Sequence, residues 1–187
     1  MITRTKRAAV FVVLALATTM WMSGCSDNPT PLQSTSSSVK LLSVSSRAKP
    51  LASDQLLTTA SLLVDPEVGG MLAVGEPDVY GETKLTIPAG AVSEPTVISM
   101  EISYDGPIVV ELQPHGIQFD KTVELAISYK PADLTGIDLD EINVYYFNEN
   151  LAVPTWERVP NSTSVPGEFE VVAPLSHFSR YAPGSEG

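Results

Sequence analysis

The chain has 187 residues and carries 22 acidic against 11 basic side chains, a formal net charge of −11. From Ser61 onward, 20 carboxylates face only Lys84, Lys121, Lys130, Arg158 and Arg180, which argues against nucleic acid and against charge-driven docking on anionic headgroups. Cys25 is the one cysteine, so no disulfide forms within the chain.

Residues 1–24 are a targeting segment. Arg4, Lys6 and Arg7 form a basic start, and Ala8 to Met22 is apolar except for Thr18 and Thr19. Small residues then precede Cys25, the layout of a secretory signal peptide. A transmembrane anchor needs roughly 20 apolar residues, and this run is shorter. A conventional signal with a bystander cysteine is the competing reading. Met22-Ser23-Gly24-Cys25 resembles the lipobox of bacterial lipoproteins. That resemblance implies a diacylglyceryl group on the Cys25 thiol, cleavage before Cys25 and acylation of the new amino terminus. The implied partner is the membrane, reached through the lipid, with about 0.8 kcal/mol per buried methylene. Ser26, rather than Asp, follows Cys25. In this it resembles the outer-membrane class, so the expected location is the cell envelope, outer membrane favoured over inner.

Residues 25–60 read as the lipidated cysteine and a flexible linker. Pro29, Pro31 and Gln33–Ser38 bury too little apolar surface to offset chain entropy. Leu41, Leu42 and Val44 hint at a short strand, and Ser53–Ala60 at a weak helix.

Residues 61–187 read as one all-β domain. Ile98, Met100, Ile102 and Tyr104 alternate with Ser99, Glu101 and Ser103. Val123, Leu125, Ile127 and Tyr129 alternate with Glu124, Ala126 and Ser128. Period two with one apolar face marks a half-buried strand. Further strands are expected at Leu62–Val64, Met71–Val74, Lys84–Ile87, Ile108–Leu112, Ile142–Phe147, Thr155–Val159 and Phe169–Val172. Short strands with frequent Pro, Gly, Asp and Asn turns predict an antiparallel β-sandwich. Prolines are frequent in the domain, which places many of them at strand ends or edges.

Gly69-Gly70, the block Lys84-Leu85-Thr86-Ile87-Pro88-Ala89-Gly90-Ala91-Val92, Leu112-Gln113-Pro114, Gly116 and Phe119–Leu125 follow in order. Pro88 stops a strand, and Gly90 supplies a turn that tolerates positive φ. This order is similar to the ZU-5 domain, found in zonula occludens proteins, netrin receptors, ankyrins and bacterial surface proteins. The resemblance covers roughly residues 66–182. It implies a β-sandwich used for protein contacts and carries no substrate class.

His177-Phe178-Ser179 is the one triplet with the makings of a reaction. Some ZU-5-containing proteins cut themselves between Phe and Ser of such a motif. The resemblance implies Ser179 as nucleophile, the Phe178 carbonyl as the bond attacked and His177 as proton carrier. A serine needs such a base, and the carbonyl needs oxyanion donors. In a strand His177 and Ser179 would share a face. The competing reading makes Phe178 a core anchor of the last strand. In relatives that cut, a large domain follows the site, whereas here only Ser179–Gly187 follow.

Other groupings are weaker. Asp133, Asp138, Asp140 and Glu141 in one loop offer oxygen ligands, but not at EF-hand spacing. Asp65, Glu67, Glu76 and Asp78 are similar, and both groups read as solvated. His115 and His177 make a poor zinc pair, and His115 reads as a turn residue. Trp156 is either a sugar-stacking aromatic or packing under a β-turn. No metal and no cofactor beyond the covalent lipid on Cys25 are expected. The leading expectation is a lipid-anchored structural or protein-contact module without catalysis, its protein partner unidentified. The alternatives are self-processing at Phe178–Ser179 and a carbohydrate- or calcium-dependent adhesion module.

Overall fold

The structure, a computed structural model, describes residues 38–48 and 58–187. Among these residues the chain forms β1 (Val39–Leu41), β2 (Thr59–Val64), β3 (Gly70–Val74), β4 (Thr83–Ile87), β5 (Thr96–Ser103) and β6 (Val109–Gln113). β7 (Gln118–Ser128), β8 (Asn143–Asn148), β9 (Thr155–Arg158), β10 (Thr163–Val165), β11 (Glu170–His177) and β12 (Arg180–Glu186) follow, with one 3-10 turn at Leu139–Glu141. The expected all-β sandwich is what forms: two antiparallel sheets packed face to face. The first runs β2-β5-β6-β12-β8-β9 with β1 also on β12, and the second runs β10-β11-β7-β4-β3.

The period-two pattern places the core. Ile98, Met100 and Ile102 of β5, Val110 and Leu112 of β6, and Val123, Leu125 and Ile127 of β7 are all buried. They meet Leu85 and Ile87 of β4 and Val171, Ala173 and Leu175 of β11 in one cluster. Polar residues between them face outward, as expected for sheets with one solvated side. The Pro88 and Gly90 signals hold: β4 ends at Ile87, and Gly90 sits at φ +78°.

Two expectations are corrected. Part of the stretch assigned to the linker belongs to the sandwich: Val39–Leu41 pair with Gly184–Glu186. Leu42 is only 1% exposed, and Val44 bridges to Ala132. Three residues are too few to show periodicity, so this strand depends on its partner. The helix-like Ser53–Ala60 lies mostly outside the described residues, and its end, Thr59 and Ala60, is strand. Most described prolines do stand at strand ends or in turns, as expected, whereas Pro174 and Pro183 stand inside strands. Proline lacks an N–H: Pro174 sits where one flank has no ladder partner, and Pro183 serves only as an acceptor on the β1 flank, its carbonyl taking the Leu42 N–H at 2.9 Å. β10 stops opposite Val172, and β12 passes from β6 (at Tyr181) to β1 (at Gly184).

Among the described strands the chain changes sheets six times, and the first and last of these crossings are tight corners. The first lies between β2 and β3, where the Glu67 N–H donates to Asp65 Oδ1 at 2.8 Å and the Gly69 N–H to the Asp65 carbonyl at 2.8 Å. Gly69 has φ +75°, and a Cβ there would fall 2.3 Å from the Ile87 carbonyl oxygen, so only glycine fits. The last corner, β11 to β12, carries the candidate site.

Candidate functional site at the β11–β12 crossing

β11 belongs to the second sheet and ends at His177, and β12 begins in the first sheet at Arg180. Phe178 and Ser179 are the crossing. A bulge between Leu175 and His177 turns the strand as it leaves β7, the usual effect of an extra residue. His177 and Ser179 therefore do not share a continuous strand face, as the sequence reading had it. Phe178 is a core anchor, 1% exposed, with its ring edge-on to Phe119 at 4.7 Å.

Every carbonyl in the crossing has a donor. Tyr181 Oη donates to the His177 carbonyl at 2.6 Å, the Gly116 N–H to that of Phe178 at 3.2 Å, and the Leu112 N–H to that of Ser179 at 3.2 Å. Burial, then the nearby Tyr146, pushes the Tyr181 phenol well above its usual pKa. It thus stays protonated and able to donate. Ser179 Oγ donates to the Phe147 carbonyl at 3.1 Å, and His177 Nδ1 lies 3.3 Å from Ser176 Oγ. The histidine ring stands edge-on to Tyr146 at 5.4 Å. A cleft of about 330 Å³ lined by His115, Gly116, Phe147, Glu149, His177 and Ser179 opens beside the crossing.

One requirement for acyl transfer, an N–H on the Phe178 carbonyl, is present. The other, a base holding the serine proton, is not formed in this arrangement, because the Ser179 hydroxyl is turned to Phe147. The Gly116 donor was not foreseen in the sequence: its proximity to Phe178 comes from packing of a loop far away in the chain.

The remaining candidates resolve into local roles. His115 Nε2 lies 2.7 Å from Glu111 Oε1, and its N–H donates to Gln113 Oε1 at 3.1 Å, so it is part of a turn. Asp133 accepts from the Thr135 N–H and Oγ1, at 3.1 and 2.7 Å, which lowers its carboxyl pKa. Asp138 caps the 3-10 turn through the Asp140 N–H at 3.1 Å. Among the described residues no group of three or more His, Cys, Asp or Glu is placed to hold a metal ion. Trp156 does not sit under a turn: it lies on the sheet surface with its ring 5.2 Å from Phe147, and Arg180 covers the Phe147 ring at 4.5 Å. Cys25 lies outside the described residues, and no helix among those described is long and apolar enough to cross a membrane.

The fold and this corner define an all-β sandwich with a closed, hydrogen-bonded sheet crossing. No protein-family model matches the chain, and no curated protein matches it.

Proposed function

We propose that this chain is a lipid-anchored, ZU-5-like β-sandwich of the cell envelope with a structural or protein-contact role, non-catalytic. The observation that carries the contact role is the β2 edge. Leu63 of β2 and Val97 of β5 are register partners on the outer face, each 63% exposed. β2 ends the first sheet, with no further strand beyond it among the described residues. An edge of this kind accepts an extended peptide through main-chain hydrogen bonds, and paired apolar side chains add affinity. The acidic surface favours a partner with basic residues. Ser26, directly after Cys25, supports an anchor in the outer membrane rather than the inner.

Photo-crosslinking from Ser61, on β2, in intact bacterial envelopes tests the contact. A protein adduct is expected, lost when Leu63→Pro breaks the edge. No adduct, or one indifferent to Leu63→Pro, refutes the edge as the contact. For the anchor, Cys25→Ala is expected to move the chain to the soluble fraction, and retention in the membrane would refute it.

The Gly116 N–H on the Phe178 carbonyl favours a second reading, self-processing. Ser179 Oγ would leave Phe147 and attack the Phe178 carbonyl carbon. The peptide C–N bond would break as His177 passes the proton to the new Ser179 amine, and water would then hydrolyse the ester. The intact mass of the chain decides it: loss of Ser179–Gly187, absent in Ser179→Ala, is required, and a mass running to Gly187 rejects it.

A further inference from the structure

The open edge of β2 runs beside a cleft on the same outer face of the first sheet. On β2, Ala60, Leu62 and Val64 pack on the core, as do Ile98, Met100 and Ile102 of β5 and Val110 and Leu112 of β6. Thr59, Ser61 and Leu63 therefore face outward, together with Val97, Ser99 and Glu101 and with Glu111 and Gln113. The register sets them in rows: Leu63 opposite Val97, Ser61 opposite Ser99, and Thr59 opposite Glu101, with Glu111 next in that last row. The cleft holds about 450 Å³, and its lining includes Thr59, Ser99, Glu101, Glu111 and Gln113.

The same three β2 residues offer the free main-chain groups. The Ile102 N–H donates to the Thr58 carbonyl at 2.8 Å. Ladder bonds alternate along an antiparallel pair, so Ala60, Leu62 and Val64 also turn their main-chain groups to β5. Those of Thr59, Ser61 and Leu63 point the other way, to the open edge. Thr59–Val64 carries neither charge nor proline, the usual guards of an edge. β5 and β6 are each antiparallel to both neighbours, so an added strand that continues the pattern runs antiparallel to β2.

The carboxylates set the chemistry of that strand. Glu101 and Glu111 are register partners, and like charges directly opposite repel. Glu111 has cationic neighbours, His115 Nε2 at 2.7 Å and Arg180 Nε at 3.7 Å. Glu101 is exposed and enters none of the ion pairs among the described residues. An added strand would lie one spacing beyond β2 and Glu101 lies one spacing behind it, about 10 Å in all. Thr59, between them, is too short to block the path. A lysine or arginine opposite Thr59 would reach over it to Glu101. An apolar residue opposite Leu63 would cover the Leu63–Val97 pair, each 63% exposed. In an antiparallel partner the residue facing Leu63 comes first, and the residue facing Thr59 four positions later. A second copy of this chain does not answer: its β2 has no basic residue and it would bring a further Glu101.

Resting on the β2 edge as the contact, we propose that the edge takes an extended segment of another protein in which an apolar residue is followed, four positions on, by an arginine or lysine. Leu63 and Val97 read the first, Glu101 and Glu111 the second.

Fluorescence anisotropy on the full chain tests it, with labelled threonine-rich peptides as probes. One carries a valine and, four residues later, an arginine. A second reverses that order, and a third replaces the arginine by citrulline, which keeps the shape without the charge. The forward peptide is expected to bind, and the other two about tenfold more weakly, the effect of one lost charged hydrogen bond. Added salt should weaken the forward peptide most. Glu101→Gln should bring the forward peptide down to the citrulline level. Glu101→Lys should move the preference to a peptide with glutamate in place of the arginine. Both substitutions change an exposed side chain, so they decide the matter even if Leu63→Pro fails to fold. Equal affinity for all peptides, or full binding by Glu101→Gln, overturns the proposal and leaves the edge standing. Silence from every peptide overturns it as well, and the Ser61 crosslink then decides whether the edge makes any contact. A dimer in sedimentation, lost in Leu63→Lys, would assign the edge to a second copy and refute the basic segment.

Discussion

Tyr181→Phe probes the crossing at its tightest bond. The phenol oxygen lies 2.6 Å from the His177 carbonyl four residues earlier, and the ring is 1% exposed. Phenylalanine keeps the ring and its apolar burial, so no cavity opens. What is lost is one hydrogen bond, and the His177 carbonyl is left without its donor. The net worth of such a bond is about 1 kcal/mol, and stranding a partly buried acceptor raises the cost to about 1–2 kcal/mol. For a unit of this size, Ser36–Gly187, that corresponds to a fall in Tm of roughly 3–6 °C. Urea unfolding followed by far-ultraviolet circular dichroism reads it, with the midpoint shifted and the slope unchanged. Tyr145→Phe is the internal comparison. It makes the same chemical change in a residue buried to the same extent, but its hydroxyl has no partner among the described residues. It should be neutral or stabilising. Equal losses from both substitutions, or none from Tyr181→Phe, would refute the idea that this bond closes the corner.

Alkali should loosen the fold before it breaks any covalent bond. Burial, then Tyr80, pushes the Tyr104 phenol up to about 12, and Tyr181 is raised by burial and Tyr146. Unfolded tyrosine ionises near pH 10, so the stability these residues contribute is full below about pH 10 and falls as pH rises toward about 12. Urea midpoints across that range should drop, less steeply in Tyr104→Phe, and a flat profile would contradict the burial. Leu42→Ala should cost about 2–4 kcal/mol, the price of a core truncation, although Leu42 sits in a stretch that reads as linker. A change within a few tenths of a kcal/mol in urea unfolding would mean that residues 38–48 are not part of the domain.

Nine strands were legible because alternation is a local property, visible in Ile98–Tyr104 or Val123–Tyr129 without knowing the partner strand. The Pro88 stop and the Gly90 turn were legible for the same reason: each follows from one residue's own φ. What could not be read was whatever depends on a partner. β12 shows no alternation because Tyr181 through Ser185 are all buried, flanked by β8 on one side and β6 and β1 on the other. β1 and β10, three residues each, are too short to carry a period. In His177-Phe178-Ser179 the residue types were visible, but not the bulge that ends the strand, the Gly116 donor on the Phe178 carbonyl, or the turn of Ser179 toward Phe147. Those are distances between segments far apart in the chain. By itself the sequence determined the basic-then-apolar pattern of residues 1–24, the acidic balance and the all-β class, all of which rest on composition and short-range period. Only tertiary packing decided which strands pair, that residues 38–48 join the sandwich, and that Tyr145, opposite Arg158 across β8 and β9, is buried, because burial there is set by neighbours that the local sequence does not name.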